Sequence, residues 1–309
     1  MFTNIPQFIF SFFKKLFRSR WKSIANAPQF DITKGVKNLE TDLPSSVFSV
    51  PISKNKIETY PAEVETIIIK VQFLGKLRIE INDKPLILNG KNGLVLASLL
   101  LDYPREIHKE NLMQRFWTDS LSAKNSLNVA ICNIRKALKD LQIEKEIIIF
   151  DANLYSICPN STIITDIETF KKVRREAMNI MRRQGLTVAI EHFEKLIWLY
   201  NGDFLENYPN DTWALGERDS YFEYYFEALR LLSEHYEKTG NMESCIDYCR
   251  QMLRHDPHFE PIHRRLIQSF QRLGAKDKAI RQYQECAKAL KLINASPSKE
   301  TQELFKELA

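Results

Sequence analysis

Histidine and cysteine, the usual currency of metal centres and acid–base sites, are scarce in this sequence: six and five respectively among 309 residues. The cysteines (Cys132, Cys158, Cys245, Cys249 and Cys286) are odd in number and scattered, and no secretory signal precedes them. A reducing, cytoplasmic setting is therefore expected, and structural disulfides are not. Glycine is also sparse, with nine residues, and none falls in a phosphate-binding loop. No strained nucleophile turn and no paired-acid motif is present, so no catalysis and no cofactor are expected. Long apolar runs are missing too. The run Phe8 to Phe13 ends at Lys14 and Lys15, and no run approaches the roughly 18 residues that span a bilayer.

A strong excess of one charge is likewise absent. The net charge is +5, and Lys14, Lys15, Arg18, Arg20 and Lys22 account for all of it, because residues 1–30 hold no acid. The rest of the chain sums to zero, so bulk charge says little about a polyanionic partner. Local charge says more: residues 66–160 carry 13 basic and 10 acidic side chains. Within them, Lys124, Arg135, Lys136 and Lys139 share a stretch without an acid.

What is present divides into three regions. Residues 1–65 form a basic, aromatic tail followed by a linker containing proline and serine. Bulky apolar groups beside lysine and arginine over residues 8–24 suit either an anionic membrane surface or docking elsewhere on the protein.

Residues 66–160 open on strand patterns at Ile67–Phe73, Leu77–Ile81 and Pro85–Leu88, with a turn at Asn82-Asp83. Three helices are then expected. The first places Leu94, Ala97, Ser98 and Leu101 on one face, and the second carries Leu112, Met113, Phe116 and Trp117. The third, over about residues 123–139, sets Leu127, Ile131, Ile134 and Leu138 at helical spacing. Its opposite face carries Lys124, Asn125, Asn128, Cys132, Asn133, Arg135 and Lys136. Two apolar runs around Asp151-Ala-Asn153 read as a hairpin, because asparagine tolerates the positive φ of a tight turn. Strands, three helices and a hairpin make an α+β winged helix-turn-helix with an N-terminal β-sheet.

Residues 161–309 read as helical throughout and contain an internal repeat. At an offset of 34, Leu232 matches Leu266, Tyr236 matches Phe270, Gly240 matches Gly274, Cys245 matches Ala279, Cys249 matches Tyr283 and Met252 matches Cys286. That is the period of a tetratricopeptide unit, two antiparallel helices with small residues where they cross and glycine at the turn. An earlier, less regular unit spans about residues 167–200, with Gly185 at its turn. The expected architecture is multidomain, the winged helix being followed by all-α tetratricopeptide-like repeats.

Several residues together resemble the Streptomyces antibiotic regulatory protein family over about residues 68–305. They are Leu74-Gly75, Leu112 to Trp117, Ile134 to Leu138 and Tyr155, then Asp166, Tyr200 to Leu205, Trp213, Glu217-Arg218, Asp256-Pro257 with Glu260, and Pro297 to Thr301. Where the family commonly has a glycine before the wing tyrosine, this chain has Leu154. The resemblance implies a response-regulator-type winged helix joined to a bacterial transcriptional activation domain, activation through RNA polymerase, and wing residues at Asn153 and Tyr155. The short chain leaves no room for the nucleotide-binding or forkhead-associated modules of longer members.

On this reading the third helix enters the major groove of double-stranded DNA. Asn128 suits an adenine edge, and Lys124 and Lys136 suit phosphates. Arg135, next to buried Ile134, suits either a phosphate or an ion pair within the domain. One such module binds weakly, so two or more copies on repeated half-sites are expected, a homo-oligomer on DNA. A protein-interaction adaptor without DNA binding is the competing class. Cys245 and Cys249 with His255 and His258 could hold zinc, but both cysteines fall where repeat helices cross, which favours packing. Trp213, Glu217 and Arg218 either line a ligand pocket or anchor the helical domain's first long helix.

Overall fold

The computed structural model describes residues 66–118 and 120–307. The tail, including residues 8–24, lies outside the described residues, so neither contact expected of it is addressed. The first strand, β1 (Ile67–Gln72), buries Ile67, Ile69 and Val71 and turns Ile68 and Lys70 outward, the two-residue alternation of a half-buried strand. It pairs antiparallel with β2 (Arg78–Ile81), which pairs with β3 (Lys84–Leu86). Asn82 and Asp83, at φ 50° and 63°, supply the tight turn between β2 and β3.

Helix α1 (Lys91–Asp102) departs from the one-sided pattern expected of it: every residue from Gly93 to Leu100 is buried. It packs against three elements at once, so it has no solvent face to spend on polar residues. Those neighbours are α2 (Lys109–Trp117), α3 (Ala123–Asp140) and β6 (Leu154–Ile157). Strand β6 pairs with β5 (Ile148–Asp151) and with β4 (Ile107–His108), a two-residue strand too short to leave a pattern in sequence.

The expectation of helix throughout from residue 161 is corrected at its start. Ser161–Thr165 is a strand, β7, running parallel to β1 from Ile67↔Ser161 to Val71↔Thr165 and completing the sheet order β3-β2-β1-β7. The cause lies in its composition, because Thr162, Ile163, Ile164 and Thr165 are all β-branched and favour the pleated surface. Thr165 ends the strand and caps the next helix, its hydroxyl accepting from the Glu168 amide at 3.2 Å.

From there the chain is helical in antiparallel neighbours: α4 (Asp166–Gln184), α5 (Leu186–Leu199), α6 (Leu215–Lys238), α7 (Met242–His255), α8 (Glu260–Arg272), α9 (Lys276–Leu292) and α10 (Lys299–Lys306). The 34-residue repeat corresponds to the pairs α6–α7 and α8–α9. Gly240 and Gly274, at φ 82° and 69°, turn the chain between the helices of each pair in the left-handed region that glycine enters freely. The equivalent positions Leu232 and Leu266, Cys245 and Ala279, and Met252 and Cys286 are all fully buried. Among the described residues no helix is long and apolar enough to cross a membrane.

Candidate nucleic-acid interface

Helix α3 is held by Leu127, Ala130, Ile131, Ile134 and Leu138, all buried. At about 1.5–3 kcal/mol per large aliphatic side chain, this stripe suffices to seat the helix and leaves the other face free of a packing role. Lys124, Asn125, Asn128, Cys132, Asn133 and Lys136 occupy that face and are exposed, with Lys139 beyond them. Lys124, Lys136 and Lys139 close no ion pair among the described residues.

Arg135 differs from the rest of its group. Its guanidinium donates to Glu146 Oε1 at 2.6 Å and to the Ile148 carbonyl at 2.9 Å, bracing α3 against β5. Of the two roles open to it in sequence, the structure places it in the ion pair within the module.

The hairpin needs no glycine. Ala152 and Asn153, at φ 45° and 66°, make a two-residue turn that pairs Asp151 with Leu154, the position where the family commonly has glycine. Asn153 is exposed at the tip, and its carbonyl accepts from the Lys109 amide at 2.9 Å. Tyr155 is not at the tip. It is 4% exposed, with its ring centroid 4.5 Å from that of Phe150. Burial raises its phenol above the ordinary range, while nearby Arg135 pulls the other way. Tyr155 thus forms part of the floor between hairpin and helix.

That floor belongs to a groove of about 640 Å³ between α3 and the hairpin. The groove adds two residues that the sequence reading missed, Lys109 and Phe150, whose ammonium and ring centroid are 5.9 Å apart. Lys109 lies outside the basic stretch of α3 and reaches it only through the β4–β6 pairing. An exposed aromatic at the end of a strand was the available signal for Phe150.

Many of the residues that carry the family resemblance lie elsewhere, where the sheet meets the helices. The Asp166 carboxylate accepts the backbone N–H groups of Phe73 and Leu74, each at 2.8 Å. Burial raises this carboxyl above its usual range, and the two amides hold it down. The loop after α5 continues the joint: Gly75 donates to the Asp203 carbonyl at 3.0 Å, Leu205 to Phe73 at 2.9 Å and Glu206 to Gly75 at 2.9 Å. A Cβ on Gly75 would stand 3.0 Å from the Asn201 carbonyl oxygen at φ +90°, so only glycine fits without strain.

Arg218 donates to the carbonyls of Phe204, Pro209 and Tyr208, each at 3.1 Å, and so fixes the loop onto α6. Trp213 sits edge-on to Phe116 at 5.6 Å and lies 5.3 Å from the Arg115 guanidinium carbon, tying the loop to α2. Trp213 and Arg218 are therefore anchors, and the anchored loop reaches past α6 to the sheet module.

Cys245 and Cys249 are fully buried where helices cross, with the Cys245 sulfur 3.5 Å from the Ser269 hydroxyl. Interaction between the two neighbouring thiols lowers Cys245 and, with burial, raises Cys249. His255 packs on the rings of Phe222 and Tyr225, and His258 lies 3.6 Å from Asp256. Among the described residues no group of three or more histidine, cysteine and acidic side chains is placed to hold a metal.

Residues 165–309 match the family model of the bacterial transcriptional activator domain. Among solved structures, the chain is similar to Mycobacterium tuberculosis EmbR in complex with a low-affinity phosphopeptide. The match has 17% identity, a TM-score of 0.59, and covers 78% of this chain and 65% of the other. The chain thus spans about two thirds of the length of that structure, and at such identity the likeness is one of fold. No curated protein matches. Residues 165–309 thus match a bacterial transcriptional activator domain and follow a sheet-bearing module, an arrangement similar in fold to that structure.

Proposed function

We propose that the chain is a sequence-specific DNA-binding transcriptional activator. Residues 66–160, closed by β7, act as a winged helix-turn-helix whose recognition helix is α3 and whose wing is the β5–β6 hairpin. The observation that carries this reading is the outward face of α3. From Lys124 to Lys139 it has no acid, and it presents three lysines without ion-pair partners, with Asn125, Asn128 and Asn133 between them.

A helix fits the width of the major groove, where an asparagine amide can both donate to and accept from an adenine edge. Lys124 and Lys136 neutralise backbone phosphates, joined by Lys109 and Lys139 from the groove beside the hairpin. Asn153 is the wing residue in reach of DNA; Tyr155 supports it from below. Residues 161–309 contact RNA polymerase or a second copy, so that two modules occupy repeated half-sites.

A salt titration of duplex binding by the full chain tests the proposal, with duplexes drawn from selection on random sequence. Each phosphate contact contributes about 0.9 to the slope of log affinity against log salt, so Lys124→Ala with Lys136→Ala should lower the slope by about 2. Asn128→Ala should instead relax the preferred sequence and leave the slope unchanged. Duplex binding that is insensitive to salt, or unaffected by loss of both lysines, would leave the interaction-adaptor reading in its place.

A further inference from the structure

The activator domain carries a second basic surface, remote in sequence from α3. Helices α7 and α9 flank a groove of about 540 Å³ over α8. Arg250 and Arg254 stand on α7, and Lys278 and Arg281 stand on α9, all four exposed. Other arginines nearby are occupied: Arg265 donates to Glu237 at 2.7 Å, Arg264 lies 3.6 Å from Glu260, and Arg272 donates to the Glu237 carbonyl. The four groove cations close no ion pair among the described residues.

The floor is largely apolar. Its accessible part is Leu253 from α7, with Leu266 and Phe270 from α8 buried beneath and Gln282 from α9 beside them, and the Arg250 guanidinium lies 5.9 Å from the Phe270 ring centroid. Unpaired cations on two walls with an apolar floor between them do not help the domain fold, because like charges facing one another repel.

We infer that this groove binds an acidic peptide segment of a partner protein, with carboxylates set between the α7 arginines and the Lys278–Arg281 pair and one apolar side chain against Leu253 and the edge of Phe270. The inference goes beyond the proposed DNA reading and does not depend on it.

Charge and shape decide the occupant. The chain's own residues 1–30 carry five cations and no acid, the wrong sign. A nucleic-acid backbone satisfies the cations but offers nothing apolar to the floor, and Glu285 inside the groove repels a nucleic acid and an acidic peptide alike. A peptide supplies both kinds of group at side-chain spacing. Arginine forks bind carboxylates in two-point contacts, which adds geometric selectivity to attraction.

The test is selection of a displayed library of random peptides, about twelve residues long, on the full-length protein, followed by affinity measurement by fluorescence anisotropy. Peptides rich in aspartate and glutamate with an aromatic or aliphatic residue should be enriched. Their affinity should fall by at least about tenfold for Arg254→Glu with Arg281→Glu, since like charges then face each other. The matching Arg254→Lys with Arg281→Lys variant keeps the charge and should retain most of the binding.

Both substitutions are at exposed positions, and an unchanged melting curve verifies the fold of each variant. Failure to enrich acidic peptides, or equal binding to wild type and the charge-reversed variant, overturns the inference. It is also overturned if charge reversal spares peptide binding but weakens duplex binding or self-association. The groove would then be a nucleic-acid surface or an interface between copies.

Discussion

Replacing Asp166 with alanine should loosen the connection between the sheet and the helical domain, by an amount that the geometry allows to be worked out. The carboxylate accepts two backbone amides at 2.8 Å, those of Phe73 and Leu74, whose side chains are fully buried. Removing the acceptor strands two donors at about 1–3 kcal/mol each, somewhat less where water enters the space left behind. Asp166 is also the first residue of α4, where a negative charge at the helix N-terminus is worth about 0.3–1 kcal/mol. The expected loss is therefore about 3 to 5 kcal/mol, or roughly 6 to 20 °C in melting temperature for a unit of this size. Urea unfolding gives the energy, and amide hydrogen exchange gives the location. Exchange at Phe73 and Leu74 should accelerate more than exchange at Leu266 or Met252, deep in the helical domain. A loss below about 1 kcal/mol, with those two amides still protected, would refute the assignment of Asp166 as the clasp of the joint.

The same carboxyl makes a pH prediction. Burial raises it above the usual carboxylate range, so the proton-linked part of its stability contribution is fully present below the unfolded value and is lost as pH rises through the folded one. The urea midpoint of wild type minus that of Asp166→Asn should accordingly be largest in acid and shrink towards neutrality; a difference that grows with pH would contradict the sign. Arg135→Gln should cost no more than about 1 kcal/mol, because its ion pair with Glu146 is solvent-exposed. It should also change the salt slope of duplex binding far less than Lys136→Gln, and equal effects would return Arg135 to the DNA-facing set. Native thiol labelling read by mass spectrometry should modify Cys132, which is exposed, and spare Cys158, Cys245, Cys249 and Cys286, which are buried. Fast labelling of Cys245 would show that α7 opens locally.

Periodicity proved reliable where one face of an element is buried and the other wet. The spacing Leu127, Ile131, Ile134, Leu138 located α3 and its free face, and the 34-residue offset located the repeat together with its glycine turns. Periodicity carried no signal where that contrast is lost. Helix α1 is buried all round, so its one-sided pattern was only a subset of what packs. Strand β4 has two residues, and β7 opens a region whose other elements are helices, so its β-branched run passed unnoticed. Within the site, position in the chain leaves Arg135 open between a phosphate and an ion pair and puts Tyr155 in the wing. Their actual roles depend on Glu146, Ile148 and Phe150, partners that sequence spacing does not bring together. Lys109 was missed for the same reason: it joins the basic face only after β4 pairs with β6.

A distinction follows between what the family resemblance attests and what DNA recognition requires. Leu74-Gly75, Asp166, Tyr200 to Leu205, Trp213 and Arg218 build one continuous joint, in which backbone hydrogen bonds from residues 73–75 meet the loop that Arg218 pins. These contacts need particular residue types because they satisfy buried backbone groups or permit a close approach, as at Gly75. The outward residues of α3 face no such demand. Lys124, Asn125, Asn128 and Asn133 are exposed and take no part in the core, so substituting them should alter stability little and, on the proposed reading, change what the helix can read. The joint sets how α3 is carried relative to the activator domain, and it should persist among proteins that share this architecture. On the proposed reading, the DNA sequence selected is set by side chains that the joint leaves free. Exchanging the outward face of α3 while keeping residues 73–75, 166 and 200–218 should therefore change the DNA sequence selected without lowering the melting temperature. A chimera that melts markedly lower would mean that the two sets of residues are not independent.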